Sequence, residues 1–306
     1  MMLMLETYCR GIAFIKPRAD EMPRGDRLRR PWTARMTSRT IALIVNTDER
    51  YRFSEPCPYL EGKTSSGEFF LGGSGFSRYE ELLAAGWRRT GPALYRYRCG
   101  DCSSCVPLRL RSDRLERGGR ARRLARRNAD LSFALLPPGF TDERFALYAD
   151  YIRVRHGGSE AGLEDSFHSL IASPMAALSE YRDPDGKLLA LGFLDILPNG
   201  LSSAYFAFSP AASRRSLGAH SVFAESAAGL ALGKSYYYLG FWVPDAPSMD
   251  YKADFRPFEL ALRKKLEPRL GGEAQGPAAI HAAAFEWIEF ADKEEASRAL
   301  SALARR

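Results

Sequence analysis

The sequence predicts an α+β protein whose sheet is mixed but mainly antiparallel. Between Leu178 and Phe208, three strand-like runs (Leu178 to Arg182, Leu188 to Ile196, Leu201 to Phe208) are separated by Asp183-Pro184-Asp185-Gly186 and Pro198-Asn199-Gly200. Turns of that kind reverse the chain and give a meander. A loop, Ser213-Arg214-Arg215-Ser216-Leu217-Gly218, then leads into an Ala-rich helix from about Ala219 to Leu232, closed by Gly233, and on to a strand from Tyr236 to Trp242. The first half instead carries short β-type runs around several cysteines, which sets it apart as a second unit.

Along the chain, residues 1–35 lack periodicity and contain Pro17, Pro23 and Pro31 among many arginines, so they are expected to be a disordered or non-native extension. Met36, just ahead of the apolar run Ile41 to Val45, is a credible alternative start. Short strands and turns follow to about Phe70, and Gly72-Gly73-Ser74-Gly75 predicts a flexible loop. Ser77-Arg78-Tyr79-Glu80 has capping-box spacing before a short helix that stops at Gly86. Val106 to Leu110 is β-type, and a helix is expected from about Arg120 to Asn128 because Gly118-Gly119 breaks anything earlier. After a run from Leu131 to Leu136, Thr141 caps a helix ending at Gly157-Gly158, and Phe167, Leu170 and Ile171 mark another. Beyond about Pro268 come a Gly/Ala-rich linker and a helical segment, Glu294 to Leu303. The expected division is 1–35, a cysteine-containing domain 36–130, a catalytic domain 131–267 and an extension 268–306.

The formal charge of +7 points to an anionic partner, nucleic acid first. Residues 1–35 hold +4 of it; within the rest, Arg111 to Arg127 carries eight arginines against Asp113 and Glu116, a local +6. Such a focus neutralises RNA phosphates, whereas a solvated helix face mixes both signs. Arg122, Arg123, Arg126 and Arg127 are the candidate RNA contacts, with Arg214. No apolar run approaches the roughly 18 residues of a membrane helix, and no secretory signal is discernible, so a cytoplasmic monomer is expected. In that compartment cysteines suggest metal or chemistry rather than disulfides. Cys99, Cys102 and Cys105, with Cys57 as a fourth, are the set wanted by zinc or an iron-sulfur cluster, and spacing alone does not choose between them. No organic cofactor is expected.

Ordered blocks carry a resemblance. Cys57-Pro-Tyr-Leu60, Gly86-Trp-Arg88-Arg89, Leu94-Tyr95, Cys99-x-x-Cys102-x-x-Cys105-Val-Pro-Leu-Arg109, Arg126-Arg127-Asn128-Ala-Asp130, Arg214-Arg215-Ser216-Leu217-Gly218, Tyr237-Tyr238-Leu239-Gly240 and Met249-Asp250-Tyr251-Lys252 together resemble the aminoacyl-tRNA-protein transferases, nearest to the bacterial aspartate/glutamate leucyltransferases. The order of meander, basic loop, helix and strand likewise resembles the GNAT acyltransferase core. The resemblance implies a cysteine-bearing domain packed on a GNAT-like domain, with aminoacyl-tRNA and proteins starting with Asp or Glu as partners. Leucine is the favoured donor group and arginine the alternative. Phe241 stands where tyrosine is more usual in such proteins. A coenzyme A-dependent N-acetyltransferase would leave the cysteines and arginines unexplained, and a zinc-containing RNA-binding protein would explain only the first half.

An aminoacyl ester is already activated, so such a protein needs to position it beside a neutral amine and stabilise an oxyanion. Asp250 is the candidate proton acceptor, with Lys252 beside it. For the acidic side chain of the acceptor, a fixed cation is required. Arg88, Arg89, Arg214, Arg215, Lys252 and Arg256 lie in the matching blocks, and Arg215, Lys252 and Arg89 are the favoured ligands.

Overall fold

The computed structural model describes residues 50–157, 162–263 and 285–304. The expectations for residues 1–35, for Met36 and for the linker after Pro268 lie outside these.

Two sheets organise the chain. The smaller is antiparallel, in the order β1-β2-β4-β3, from β1 (Tyr51–Pro56), β2 (Thr64–Leu71), β3 (Arg88–Thr90) and β4 (Ala93–Tyr97). Helix α1 (Tyr79–Ala84) seals it with Tyr79, Leu82 and Leu83, which pack on Phe76, Trp87 and Leu94. Two expectations change here. Gly73–Arg78 is a 3-10 turn rather than a loop, and its Phe76 is buried, so the glycines allow a tight turn around an anchored ring. The capping box is not used: Arg78 is the N-cap of α1 and instead ties Glu81 at 2.7 Å.

The larger sheet has eight strands in the order β12-β11-β5-β10-β9-β8-β7-β6. These are β5 (Val106–Arg111), β6 (Ser132–Leu136), β7 (Ala176–Arg182), β8 (Leu188–Ile196), β9 (Gly200–Phe208), β10 (Tyr236–Trp242), β11 (Phe258–Arg263) and β12 (Phe285–Phe290). Every pair is antiparallel except β9 with β10, which are joined through α5 (Leu217–Ala231). The expected α+β class with a mixed, mainly antiparallel sheet is what the chain adopts. Strand β8 reads as an apolar run broken by a single acid, Asp195, because both of its faces are covered. Helices α3 (Asp142–His156) and α4 (Leu163–Leu170) flank the meander, and Thr141 Oγ1 accepts from the Arg144 amide at the start of α3 while left-handed Gly157 ends it. Helix α2 (Gly119–Arg127) begins where the glycine pair permits and buries Ala121 and Leu124.

The division drawn at residue 130 does not separate two sheets. Strand β5 lies between β10 and β11, so the segment after the cysteines is part of the larger sheet. Its apolar positions explain this, since Val106, Leu108 and Leu110 belong to the same core as Trp242, Phe255 and Phe258. The C-terminal segment is likewise no appendage. Strand β12 pairs with β11 from Phe258↔Phe290 to Arg263↔Phe285, and α7 (Lys293–Ala304) packs Ala296, Ala299 and Leu300 on that core.

Candidate active site

Strand β10 carries an irregularity that shapes the centre of the molecule. Its register against β5 shifts between Tyr238 and Gly240, and Gly240 has φ +85°, a conformation that glycine adopts without strain. The bulge turns the Gly240 carbonyl to accept from Arg88 Nη2 at 3.1 Å. Arg88 also donates to the carbonyls of Trp87 and Leu83 and lies over the Phe241 ring at 5.3 Å. After the bulge the chain runs through the short helix α6 (Pro247–Asp250) into a 3-10 turn, Tyr251–Asp254, that brings Lys252 back over Gly240. A Cβ added at Gly240 would stand 3.4 Å from Lys252 Nζ.

Arg88 and Lys252 are therefore two cations side by side, and among the described residues neither has an ion-pair partner. Arg88 is 5% exposed and its Nε has no hydrogen bond. Burial pushes the Lys252 ammonium down to about 7, and the charge of Arg88 pushes the same way. Arg88 is itself pushed down to about 10 by burial. Two desolvated positive groups with no carboxylate between them cost the fold free energy, and an incoming anion relieves that cost.

The other expected acceptor ligands are occupied. Arg89, the next residue on β3, points the opposite way: its Nε meets Asp195 at 2.8 Å with both side chains buried, and its remaining donors go to the carbonyls of Gly91, Ser169 and Leu170. Tyr79 donates to the same Asp195 carboxylate at 3.2 Å. Arg89 is thus a core ion pair and not a substrate ligand. Arg215 is corrected as well, because it chelates Asp130 with two bonds of 2.8 Å that tie its loop to the end of α2.

Asp250, the expected proton acceptor, is held as a carboxylate. It accepts from Trp242 Nε1 at 3.1 Å and from Lys293 Nζ at 2.6 Å. Burial raises its pKa, but these two donors outweigh it and leave the group below the ordinary carboxylate range. A carboxylate so satisfied is a weak base, so the assignment of proton transfer to Asp250 falls.

The expected RNA contacts come together. Arg122, Arg123, Arg126 and Arg127 are exposed on α2, and Arg127 donates to the Arg214 carbonyl and to Ser216 Oγ. Asn128 Nδ2 donates to the Arg215 carbonyl. Helix α2 and the 213–216 loop thus form one basic surface. Part of the run is neutralised, since Arg111, Arg114 and Arg120 pair with Asp113, Glu289 and Asp254. Arg122, Arg123, Arg126 and Arg214 make no ion pair among the described residues. Replacing Arg122, Arg123 and Arg126 by alanine is expected to flatten the salt dependence of tRNA binding by roughly two to three units of slope, read from Kd between 50 and 200 mM salt. An unchanged slope removes this face from the interface.

Of the four free thiols, Cys105 lies beside Phe241, next to the same bulge. Cys57 follows β1, and Cys99, Cys102 and Cys105 lie between β4 and β5. The Cys105 thiol is pushed up to about 12 by burial and by the nearness of Cys99, Cys57 and Cys102. Cys105 packs with Tyr59, Tyr97 and Phe241. Among the described residues no three such side chains stand in the geometry of a metal site, since Cys99 is engaged with the backbone of Ser66 and Cys102 with Ser104. Sulfur donors from two segments suit zinc or an iron-sulfur cluster chemically, but their present positions do not form a closed set.

Missed in the sequence were Arg88 in preference to Arg89, the buried carboxylate of Glu225, and Lys293. For the first there was a signal. Asp195 is the one acid in the apolar run Leu188 to Ile196, and a buried acid claims a cation.

The arginine-tRNA-protein transferase family matches in two parts, its N terminus over residues 55–123 and its C terminus over residues 143–262. The aspartate/glutamate leucyltransferase of Stutzerimonas stutzeri (strain A1501) is 37% identical over 191 residues, covering 61% of this chain and 81% of that protein. The one from Halorhodospira halophila (strain DSM 244 / SL1) is 37% identical over 211 residues, covering 67% and 89%. Among solved structures, a GCN5-related glucosamine N-acetyltransferase region of a fungal multi-domain β-N-acetylglucosaminidase overlays with a TM-score of 0.37 at 13% identity, over 60% of this chain and 22% of that one. On the extent of the sequence matches, the chain belongs to the arginine-tRNA-protein transferase family.

Proposed function

We propose that the protein transfers leucine from leucyl-tRNA to the N-terminal Asp or Glu of acceptor proteins, and so marks them for degradation. The observation that carries this reading is the pair Arg88 and Lys252, two desolvated cations without a carboxylate at the bulge of β10. An acidic first residue supplies the missing charge. Lys252, the more exposed of the two, meets the side-chain carboxylate, and Arg88 adds a fixed field behind it.

The acceptor's own α-amine, with a pKa of about 7.7–8.0, is neutral often enough near pH 7 to attack the ester, so no covalent intermediate is needed. Holding the amine beside the ester supplies most of the advantage. The tRNA lies on α2 and the 213–216 loop, where Arg122, Arg123, Arg126, Arg127 and Arg214 neutralise phosphate. Strands β6 to β10 with α5 form the GNAT-like catalytic part, packed against the cysteine-bearing part. No helix among the described residues is long and apolar enough to cross a membrane, and a cytoplasmic site of action suits a donor that is charged tRNA.

Cys57, Cys99, Cys102 and Cys105 hold zinc or an iron-sulfur cluster in this reading, fastening the loop between β4 and β5 against Tyr97 and Phe241. Metal analysis of anaerobically purified protein is expected to find zinc or iron. Finding neither rejects the site and leaves the transfer chemistry untouched.

The deciding experiment supplies labelled leucyl-tRNA or arginyl-tRNA with peptides starting Asp, Glu or Ala. Label from leucyl-tRNA is expected on the Asp and Glu peptides only. Equal labelling of the Ala peptide removes the cationic pair as selector, and labelling from arginyl-tRNA alone overturns the donor.

A further inference from the structure

Lys252 keeps an unpaired charge although Asp250 and Asp254 stand two residues to either side of it. Residues two apart in a helical turn leave it on different sides, but a lysine's long side chain can still bend toward a neighbouring carboxylate that has no other partner. Both carboxylates have one, and it lies outside the family match, which ends at residue 262. Helix α7 begins with Lys293, whose ammonium lies 2.6 Å from Asp250 Oδ2 and 2.7 Å from Asp254 Oδ1. Trp242 Nε1 takes the other oxygen of Asp250, and Arg120 stands 3.2 Å from Asp254 Oδ2. All four carboxylate oxygens flanking Lys252 are thereby engaged by other groups. Helix α7 is fixed in place by β12 on the sheet edge and by Ala296, which is fully buried.

We infer that Lys293 is a positioning residue for acceptor recognition: by engaging Asp250 and Asp254 from the C-terminal segment, it keeps Lys252 available for the carboxylate of an acidic N-terminal residue. The inference rests on the reading of Lys252 given above. Without Lys293, Asp250 Oδ2 and Asp254 Oδ1 each lose a partner, while Trp242 and Arg120 keep hold of the other two oxygens; the two freed oxygens then compete with the acceptor for the ammonium. The competition is intramolecular, so it acts at every acceptor concentration and shows as a raised KM.

The test uses the full chain with leucyl-tRNA and an Asp-starting peptide. Lys293→Ala is expected to raise the peptide KM about tenfold, the size of one weakened charge-assisted contact, while the KM for leucyl-tRNA stays within about twofold. Lys293→Arg restores the peptide KM. The triple variant Lys293→Ala/Asp250→Asn/Asp254→Asn also restores it, because the competing charges are gone although the fastening is still missing. A merely structural clamp gives the opposite result, with the triple variant no better than the single one, and that outcome overturns the inference, as does an unchanged peptide KM in Lys293→Ala. Lys252→Ala, measured alongside, separates the two levels: if it keeps its peptide KM, the reading of Lys252 itself has failed, and if it loses affinity while Lys293→Ala does not, only the role of Lys293 is withdrawn.

Discussion

Lys252→Ala is expected to lower kcat/KM for leucine transfer to an Asp-starting peptide by about a hundredfold, the cost of losing one desolvated charge-assisted contact of about 2–3 kcal/mol. Transfer measured with varied leucyl-tRNA at saturating peptide should change far less, because the basic surface on α2 and the 213–216 loop is intact. The pH profile gives an independent reading. In the free protein the Lys252 ammonium sits at about 7, so its charged fraction falls as pH rises through neutrality. The α-amine of the acceptor gains reactivity over the same range, being half neutral at about 7.7–8.0. The product of the two is a bell in kcat/KM, with its falling limb owed to Lys252 and its rising limb to the acceptor. Lys252→Arg keeps the charge at every pH, so its profile should rise to a plateau. If the arginine variant retains the falling limb, or if Lys252→Ala affects both substrates equally, Lys252 does not bind the acceptor carboxylate.

What the sequence could and could not say follows from the range of the interactions involved. Local signals were legible: the turns bounding the meander, Thr141 before α3, the glycine pair ahead of α2 and the run Tyr236 to Trp242 each appear in the fold with little change. Pairings across the chain were not. The choice between Arg88 and Arg89 depends on which face of a three-residue strand meets β10, and alternate residues on a strand face opposite ways. Arg215 looked free because Asp130 lies 85 residues away, and Asp250 looked free because Lys293 belongs to a segment 43 residues on. The capping spacing at Ser77 was overruled by burial of Phe76, a tertiary contact that fixes the preceding turn. In each case a charged or polar group that seemed available had been claimed by a partner distant in sequence.

Glu225 carries the remaining large effect, on stability rather than turnover. It is the only acid on α5, a helix with no Lys or Arg, and it is fully buried. Ser179 Oγ donates to it at 2.7 Å, Tyr181 at 3.2 Å and Tyr237 from the strand beyond. Gly192 makes room for this cluster, since a Cβ there would stand 2.6 Å from Glu225 Oε1 and would collide with Ser179 Oγ. Burial pushes the carboxyl up to about 7, more than the three hydroxyl donors bring it down. Because the folded pKa lies above the unfolded value of 4.5, the protonated acid is the form that the fold prefers. Its contribution to stability is complete below pH 4.5 and is lost as pH rises through 7, a change of about 3 kcal/mol. Glu225→Gln keeps a neutral group of the same shape, one that still accepts from Ser179 and Tyr181 and donates to Tyr237, so its contribution does not vary with pH. The comparison to make is the difference in unfolding free energy between the two proteins, from urea transitions at pH 4.5, 6 and 8, in which other titrating groups cancel. That difference should move by about 3 kcal/mol in favour of the glutamine variant between the extremes. A flat difference means that burial does not raise the carboxyl, and a difference moving the other way means that the three hydroxyls hold an anion, as an oxyanion site does; either result ends the account of Glu225 as a neutral core acid.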